Sequence, residues 1–377
     1  MGSSTGGSYI FLSMDDIQFL KSSEDPQLSP FLKNGPTLFI SNVTAAIEAV
    51  SIAKELLPLT INDKDYGNCF VCSPYGQYVL YGLDALGHKG VFIKSAATAF
   101  LAPLGRALKF GSLNRHVSVN NWMMPTNLYP KLAKKDLVKL VEQLLVRYPK
   151  HAIVFRSLNR QTNPDLCTWL QELGFSLVAS RIIYIFDPLD PKAFSSRMYK
   201  SDLKLLEKSD YEILSHKDFS LEDAPRIKEL YDALYLTKYS RQNVMWTEAF
   251  LRHAIQTEAL CLIGLKKQGR LDAVAGFVLR GGEMTAPLFG YDPDVPKQEG
   301  LYRLICLLVA LEAKKRGVIL NQSSGAGSFK KLRRAYPVME YSAVKSCHLG
   351  GYQKVAWSVL GKLLNKVGAP IMHAMER

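Results

Sequence analysis

Between residues 271 and 341, apolar and polar positions fall into an order that organises the reading of the whole chain. Two apolar runs, LDAVAGFVLR and EMTAPLFGY, are joined by Gly281-Gly282, a pair free to take the positive φ angles of a tight hairpin, so two antiparallel strands are predicted. Pro293 and Pro296 then forbid regular structure up to Gly300. Beyond it Leu301, Leu304, Ile305, Leu308 and Leu311 recur at helical spacing while Cys306, Leu307 and Val309 fill other faces. The pattern predicts a helix over residues 300–316, buried on most sides and stopped by Gly317. VILNQSS re-extends the chain, Gly325-Ala326-Gly327 turns it, SFKKLRRA reads as a short basic helix and PVMEYSAV as a last strand.

The same strand, helix, strand, helix, strand order is predicted earlier. VSVNNWMM is followed by a helix with Leu137, Leu140, Val141, Leu144 and Leu145 on one face, then by HAIVFR. Asn163-Pro164 opens a helix that Gly174 closes, and SLVASRIIYIF ends the unit. We read this as a degenerate copy of one fold and not as a sequence repeat. Upstream, TLFIS reads as a strand, residues 44–57 as a helix, and NCFVC and QYVLYG as strands split by Pro74-Tyr75-Gly76. Residues 87–115 fit either a surface helix or a loop near an anion. The lead-in, residues 1–35, is Gly/Ser-rich and then polar, with only Ile10-Phe11-Leu12 and residues 17–20 able to pack.

Between the copies a basic helix carries Arg197, Lys200, Lys204 and Lys208, which form either a solvated face or an anion contact. YEILSHKDF, a helix with Ile227, Leu230, Tyr231 and Leu234, a helix capped by Thr247, and ALCLIGLKK lead back into the hairpin. Past Gly350-Gly351 a basic helix spans residues 352–367. The expected units are an arm (1–35), a degenerate domain (36–190), a basic linker helix (191–210), a domain holding the site (211–345) and a C-terminal basic helix (346–377).

Composition narrows the function classes. With 377 residues, 47% hydrophobic and 21% charged, the chain is an ordinary globular protein long enough for two or three domains. A net charge of +13 points to an anionic partner: a nucleotide cofactor, an acidic carrier protein, RNA or an anionic membrane surface. The six cysteines are scattered, several in apolar runs, and read as core thiols of a reducing compartment. Cys69 and Cys72 have metal spacing, but no second pair accompanies them and no metal is expected. No apolar run reaches the roughly 20 residues of a membrane span. The N-terminus lacks the basic start and apolar core of a signal peptide, and Gly6 stands where a myristoylation motif wants Ser or Thr, so a cytoplasmic location is expected.

Gln298-Glu299-Gly300-Leu301-Tyr302 opening the central helix, in this order of elements, resembles the core of the GNAT superfamily of acyl-CoA-dependent N-acyltransferases. The GYD turn before the helix and the SGAGSFK turn after it, with Phe329-Lys330 closing the latter, resemble the FemABX and BioF2-like branch of that superfamily. The resemblance implies an α/β (α+β mixed) fold of two tandem domains, each a mixed, largely antiparallel sheet flanked by helices. It also implies that coenzyme A meets Gln298, Gly300, Leu301, Tyr302, Asn321, Gly325, Gly327, Phe329 and Lys330. The general reason such turns work is that orphaned amides and the positive end of a helix dipole attract an anion. Here the family's Arg/Gln-x-x-Gly-x-Gly/Ala spacing is shifted and ends on Tyr302, and Gly300 also suits a plain helix cap. The first copy's loop, from Pro125 to Lys131, has no glycine and is not expected to hold coenzyme A.

N-acyl transfer needs a deprotonated amine, an oxyanion donor and an acid for the leaving thiol. The candidates are Glu283, Tyr291, Asp292 and Tyr302, with Tyr336 behind them. Each tyrosine also reads as a packed aromatic, and Asp292 as a turn former before proline. Cys306 reads as core, His348 and His373 lack partners, and the basic run from Lys330 fits a solvated turn as well as a phosphate contact. The expected function is an N-acyltransferase moving an acyl group from acyl-CoA, or a related activated donor, to an amine of a small molecule or amino acid. The alternatives are an aminoacyl-tRNA-dependent transferase, in which the positive charge meets phosphates, and a non-catalytic module binding nucleic acid or an acidic protein.

Overall fold

The computed structural model describes residues 17–87 and 91–376. The first half contains β1 (Gln18–Leu20), α1 (Ser29–Asn34), β2 (Ala46–Ile52), β3 (Glu55–Asn62), α2 (Tyr81–Gly87), α3 (Val91–Phe110), β4 (His116–Val119), α4 (Lys134–Arg147), β5 (Ala152–Leu158), α5 (Pro164–Glu172) and β6 (Ser176–Phe186). The second contains α6 (Arg197–Glu207), β7 (Glu212–Ser215), α7 (Ala224–Asp232), α8 (Glu248–Thr257), β8 (Cys261–Lys267), β9 (Arg270–Arg280), β10 (Glu283–Tyr291), α9 (Leu301–Arg316), β11 (Ile319–Asn321), α10 (Gly327–Lys331), β12 (Tyr336–Lys345), α11 (Gly351–Leu363) and α12 (Ala369–Ala374). The fold is mixed α/β, a large and mostly antiparallel sheet flanked by helices.

The described strands form one 12-stranded sheet in the order β1-β2-β3-β4-β5-β12-β6-β11-β10-β9-β8-β7. Two neighbouring pairs, β4 with β5 and β10 with β11, are parallel, as a crossover helix between paired strands allows. The halves are interleaved at the centre. β12, from the second half, lies between β5 and β6; β6, from the first, lies between β12 and β11. Each half's parallel pair is therefore followed in the sheet by the other half's last strand. β6 and β12 pair from Tyr336↔Ile185 to Val344↔Ser176, and at their middle Arg181 faces Glu340. Arg181 Nε and Nη2 donate to the two Glu340 oxygens at 2.8 and 3.2 Å, so an ion pair of a half-buried guanidinium with a buried carboxylate joins the exchanged strands.

The upstream segment differs from the sequence reading. Residues 44–57 were expected as a helix, yet they form β2, a two-residue turn and the start of β3. The turn residues Ala53 and Lys54 both have positive φ, 48° and 67°, the geometry of a tight hairpin. Ile47, Val50 and Ile52 suit a pleated surface, and pairing with β3 overrides the helix preference of the intervening Ala, Glu and Lys. TLFIS forms a turn with one bridge, Ile40↔Trp246, instead of a strand. NCFVC is a turn, and QYVLYG belongs to the π-helical turn Gly76–Leu80 and α2. Residues 18–34, expected as a polar lead-in, add β1 to the sheet edge and bury Leu28 and Phe31. Ile10, Phe11 and Leu12 lie outside the described residues.

Candidate functional site

β10 pairs with β11 over three residues, Glu283↔Ile319, Met284↔Leu320 and Thr285↔Asn321. Directly afterwards β10 gains a residue: Thr285 faces Val278 on β9 and Leu288 faces Gly276, so Ala286 and Pro287 share one opposite position. Proline lacks the N–H of a regular ladder and is tolerated at such a bulge. The two parallel strands separate there. Residues 286–291 keep β9 on one edge and, among the described residues, have no strand on the other.

A cavity of about 420 Å3 occupies the opening. Tyr302, Cys306 and Val309, one face of α9 at positions i, i+4 and i+7, line it with the turn after β11 and with Phe329, Lys330 and Arg333. Tyr235, Lys238 and Tyr239, just past α7, form another wall. The first half contributes Phe70, Tyr81, Thr126 and Arg181. Both halves thus build the site.

Its charges are organised and positive. Lys330 Nζ donates to the carbonyls of Gln322, Ser323 and Ser324 at 2.6, 3.2 and 2.9 Å, which shapes the turn around it. Burial pushes this ammonium down to about 7. The three acceptors act the other way, since only the protonated amine has three N–H groups to give, and this geometry favours the charged form at neutral pH. Arg333 grips the fully buried Asp202 of α6 at 2.6 and 3.1 Å, and Arg303 of α9 reaches the same carboxylate at 2.7 Å. No carboxylate lines the cavity among the described residues. Burial raises the hydroxyls of Tyr81, Tyr235 and Tyr302, keeping them protonated, and pushes the Cys306 thiol up to about 12. The Tyr302 ring sits 4.8 Å from Phe329 and 5.8 Å from Tyr291.

Of the residues singled out in the sequence, Tyr291, Tyr302, Asn321, Gly325, Phe329 and Lys330 converge on this cavity. Gln298 is exposed in the turn before α9, and Leu301 is buried at the helix start. Gly300 has φ +66°, and a Cβ there would stand 2.6 Å from Leu205 of α6; Gly327 admits Tyr184 Oη, 2.0 Å from where a Cβ would be. Neither glycine lines the cavity. Asp292 lies off the lining and accepts from Arg226 at 2.6 Å; burial opposes its ionisation, but the Asp294 amide and Arg226 hold its carboxyl below the usual range. Glu283 sits at the other end of β10, where burial pushes it up to about 7 against bonds from Thr162 and Asn163. Tyr336 is exposed at the start of β12. Arg197, Lys200, Lys204 and Lys208 face outward; α6 serves the site through Tyr199 and Asp202 instead. Cys306, expected in the core, reaches the cavity because the strands separate above its face of α9.

Tyr235, Tyr239 and Arg181 of the cavity wall escaped the sequence reading, which named only Tyr231 of the same helix face. Tyr231, Tyr235 and Tyr239 recur every four residues, a spacing that marks one aromatic helix face. Arg181 and Glu340 are single charges of opposite sign within apolar strands, and a buried charge calls for a partner.

The equivalent opening in the first half is closed. Beyond β4, Arg156 Nη1 donates to Asn121 Oδ1 and Val71 O, the Asn127 amide to Ser157 Oγ, and Tyr129 Oη to Arg156 O. The cavity bounded by Tyr78, Ser118, Arg156 and Trp357 measures about 10 Å3, room for one water.

No family model matches the chain, and no curated protein matches it. Solved structures similar to it include L-PGS from Bacillus licheniformis (16% identity, 60% of this chain and 77% of that chain, TM-score 0.44). FemX is similar at 11% identity over 60% of this chain and 79% of that one, TM-score 0.44. A GCN5-related N-acetyltransferase from Kribbella flavida is similar at 12% identity over 62% and 83%, TM-score 0.32.

Proposed function

We propose that the chain moves an acyl group from a thioester donor of the acyl-CoA type to an amine, in the cavity between β10 and β11. The observation that carries this reading is the open edge of β10 along residues 286–291. An extended donor arm bearing amides adds to such an edge as a strand would, with its acyl end in the cavity. The donor's phosphates then lie toward the start of α9, where the amides of residues 301–303 have no intrahelical partner and the dipole favours an anion. In the reaction the amine nitrogen attacks the thioester carbonyl carbon and the C–S bond breaks. The departing thiolate takes the Tyr302 proton, and the proton lost by the amine restores the hydroxyl. With cationic groups and no carboxylate in the lining, the acceptor enters as a neutral amine.

Thiol release from acyl-CoAs of graded chain length, with a panel of primary amines and amino acids, tests this. Tyr302→Phe is expected to lower kcat by roughly tenfold or more while the donor KM stays nearly unchanged. Absence of amine-dependent thiol release with every donor would sink the reading. One observation favours aminoacyl transfer from aminoacyl-tRNA instead, the net charge of +13. Its mark is tRNA binding that weakens steeply with salt.

A further inference from the structure

α11, the π-helical turn Leu364–Gly368 and α12 form a continuous helical rod. It is seated by Ala356, Trp357 and Leu360, and the Asn365 side chain ties it to Ala179 N and Leu177 O of β6. Its outward side carries exposed apolar side chains. Tyr352, Val355, Val359, Val367 and Ile371 are 72, 57, 45, 49 and 54% exposed, and their spacings of three, four and eight residues place them in one stripe. Phe110, 72% exposed at the end of α3, extends the stripe, its ring 4.9 Å from that of Tyr352. Exposed apolar side chains grouped on one helix face mark a surface that is covered in use.

The lysines on and beside the same face identify the cover: Lys362 stands three residues from Val359 and seven from Val355. Lys354, Lys362 and Lys366 are exposed on the rod and Arg106 on α3, while residues 341–375 and 91–110 contain no Asp or Glu. A second copy would bring the same cationic face against itself, and nucleic acid offers nothing to the apolar stripe. We infer that this rod, with the end of α3, docks on an anionic membrane surface. It lies in the interfacial plane, its apolar stripe among the acyl chains and its lysines at lipid phosphates. No helix among the described residues is long and apolar enough to cross a membrane, so this contact is one of lying on the bilayer. The net charge of +13 adds longer-range attraction to the same surface.

Flotation of the full chain with vesicles of phosphatidylcholine alone, and of equal parts phosphatidylcholine and phosphatidylglycerol, tests the inference. Binding is expected to the anionic vesicles and to weaken as salt rises. Lys362→Glu and Lys366→Glu should each lower the partition about fivefold or more. Val355→Ser, Val359→Ser and Ile371→Ser together should lower it at least about tenfold with an unchanged melting temperature, because these side chains contribute little to the folded core. Failure of the unaltered chain to bind anionic vesicles overturns the inference. So does binding that the serine variant leaves intact, or a dimer in light scattering that the serine variant dissolves.

Discussion

Glu283 and Lys330 are buried charges whose surroundings treat them differently. Lys330 is compensated by three carbonyls, whereas Glu283, pushed up to about 7 from 4.5, has only the Thr162 and Asn163 bonds against burial. Between these two values the folded chain binds more protons at Glu283 than the unfolded chain does. Stability therefore falls as pH rises from about 4.5 through 7, and the loss is complete above the folded value. Glu283→Gln removes the buried charge and keeps the shape. Thermal melts from about pH 5 to pH 8 should show the variant gaining on the parent as pH rises, by an amount on the order of 2 kcal/mol. A variant less stable than the parent at the alkaline end would refute this account of Glu283.

The helix α6 shows how much of an element's role its residue pattern discloses. Its capping serine, its length and its basic outer face are all readable from SSRMYKSDLKLLEKS, and Ser196 does accept from the Tyr199 amide. What the pattern hides is Asp202, a carboxylate that looks solvated in sequence yet is 0% exposed and shared by Arg303 of α9 and Arg333 beside α10. Its burial depends on where α9 and α10 pack, which local spacing does not encode. The same limit explains residues 44–57, whose helix-favouring residues yield to pairing with β3, while Gly317 and Thr247 act locally and were legible. Asp202→Ala leaves two guanidinium groups without their shared anion, so urea unfolding should show a loss of about 3–5 kcal/mol. Arg333 also lines the cavity, so donor KM should rise in the same variant. A loss within about 0.5 kcal/mol would mean that the site is a solvated one after all.

The interleaving of β6 and β12 ties the two halves into one folding problem. A repeated order of strands and helices is visible in the chain, because each strand and helix has its own periodicity. The exchange is invisible there, because β6 would read the same beside β5 as beside β11. It nevertheless decides the function proposed here, since it places Arg181 of the first half in the wall of a cavity opened by β10 and β11 of the second. It also dictates how the molecule unfolds. If residues 1–190 were made alone, β6 would lose both of its sheet neighbours, β12 and β11, and β5 would present an open edge; residues 191–377 alone would leave β12 without β5 and β6. Each fragment would also bury one charge of the Arg181–Glu340 pair without its partner, or else expose the surrounding strand. The intact chain is therefore expected to unfold in a single calorimetric transition, with calorimetric and van't Hoff enthalpies in agreement. The separate fragments are expected to aggregate or remain unfolded, and co-expression to recover a soluble complex. Two resolved transitions, or a fragment of residues 1–190 that unfolds cooperatively by itself, would show that the exchanged strands join halves already stable on their own.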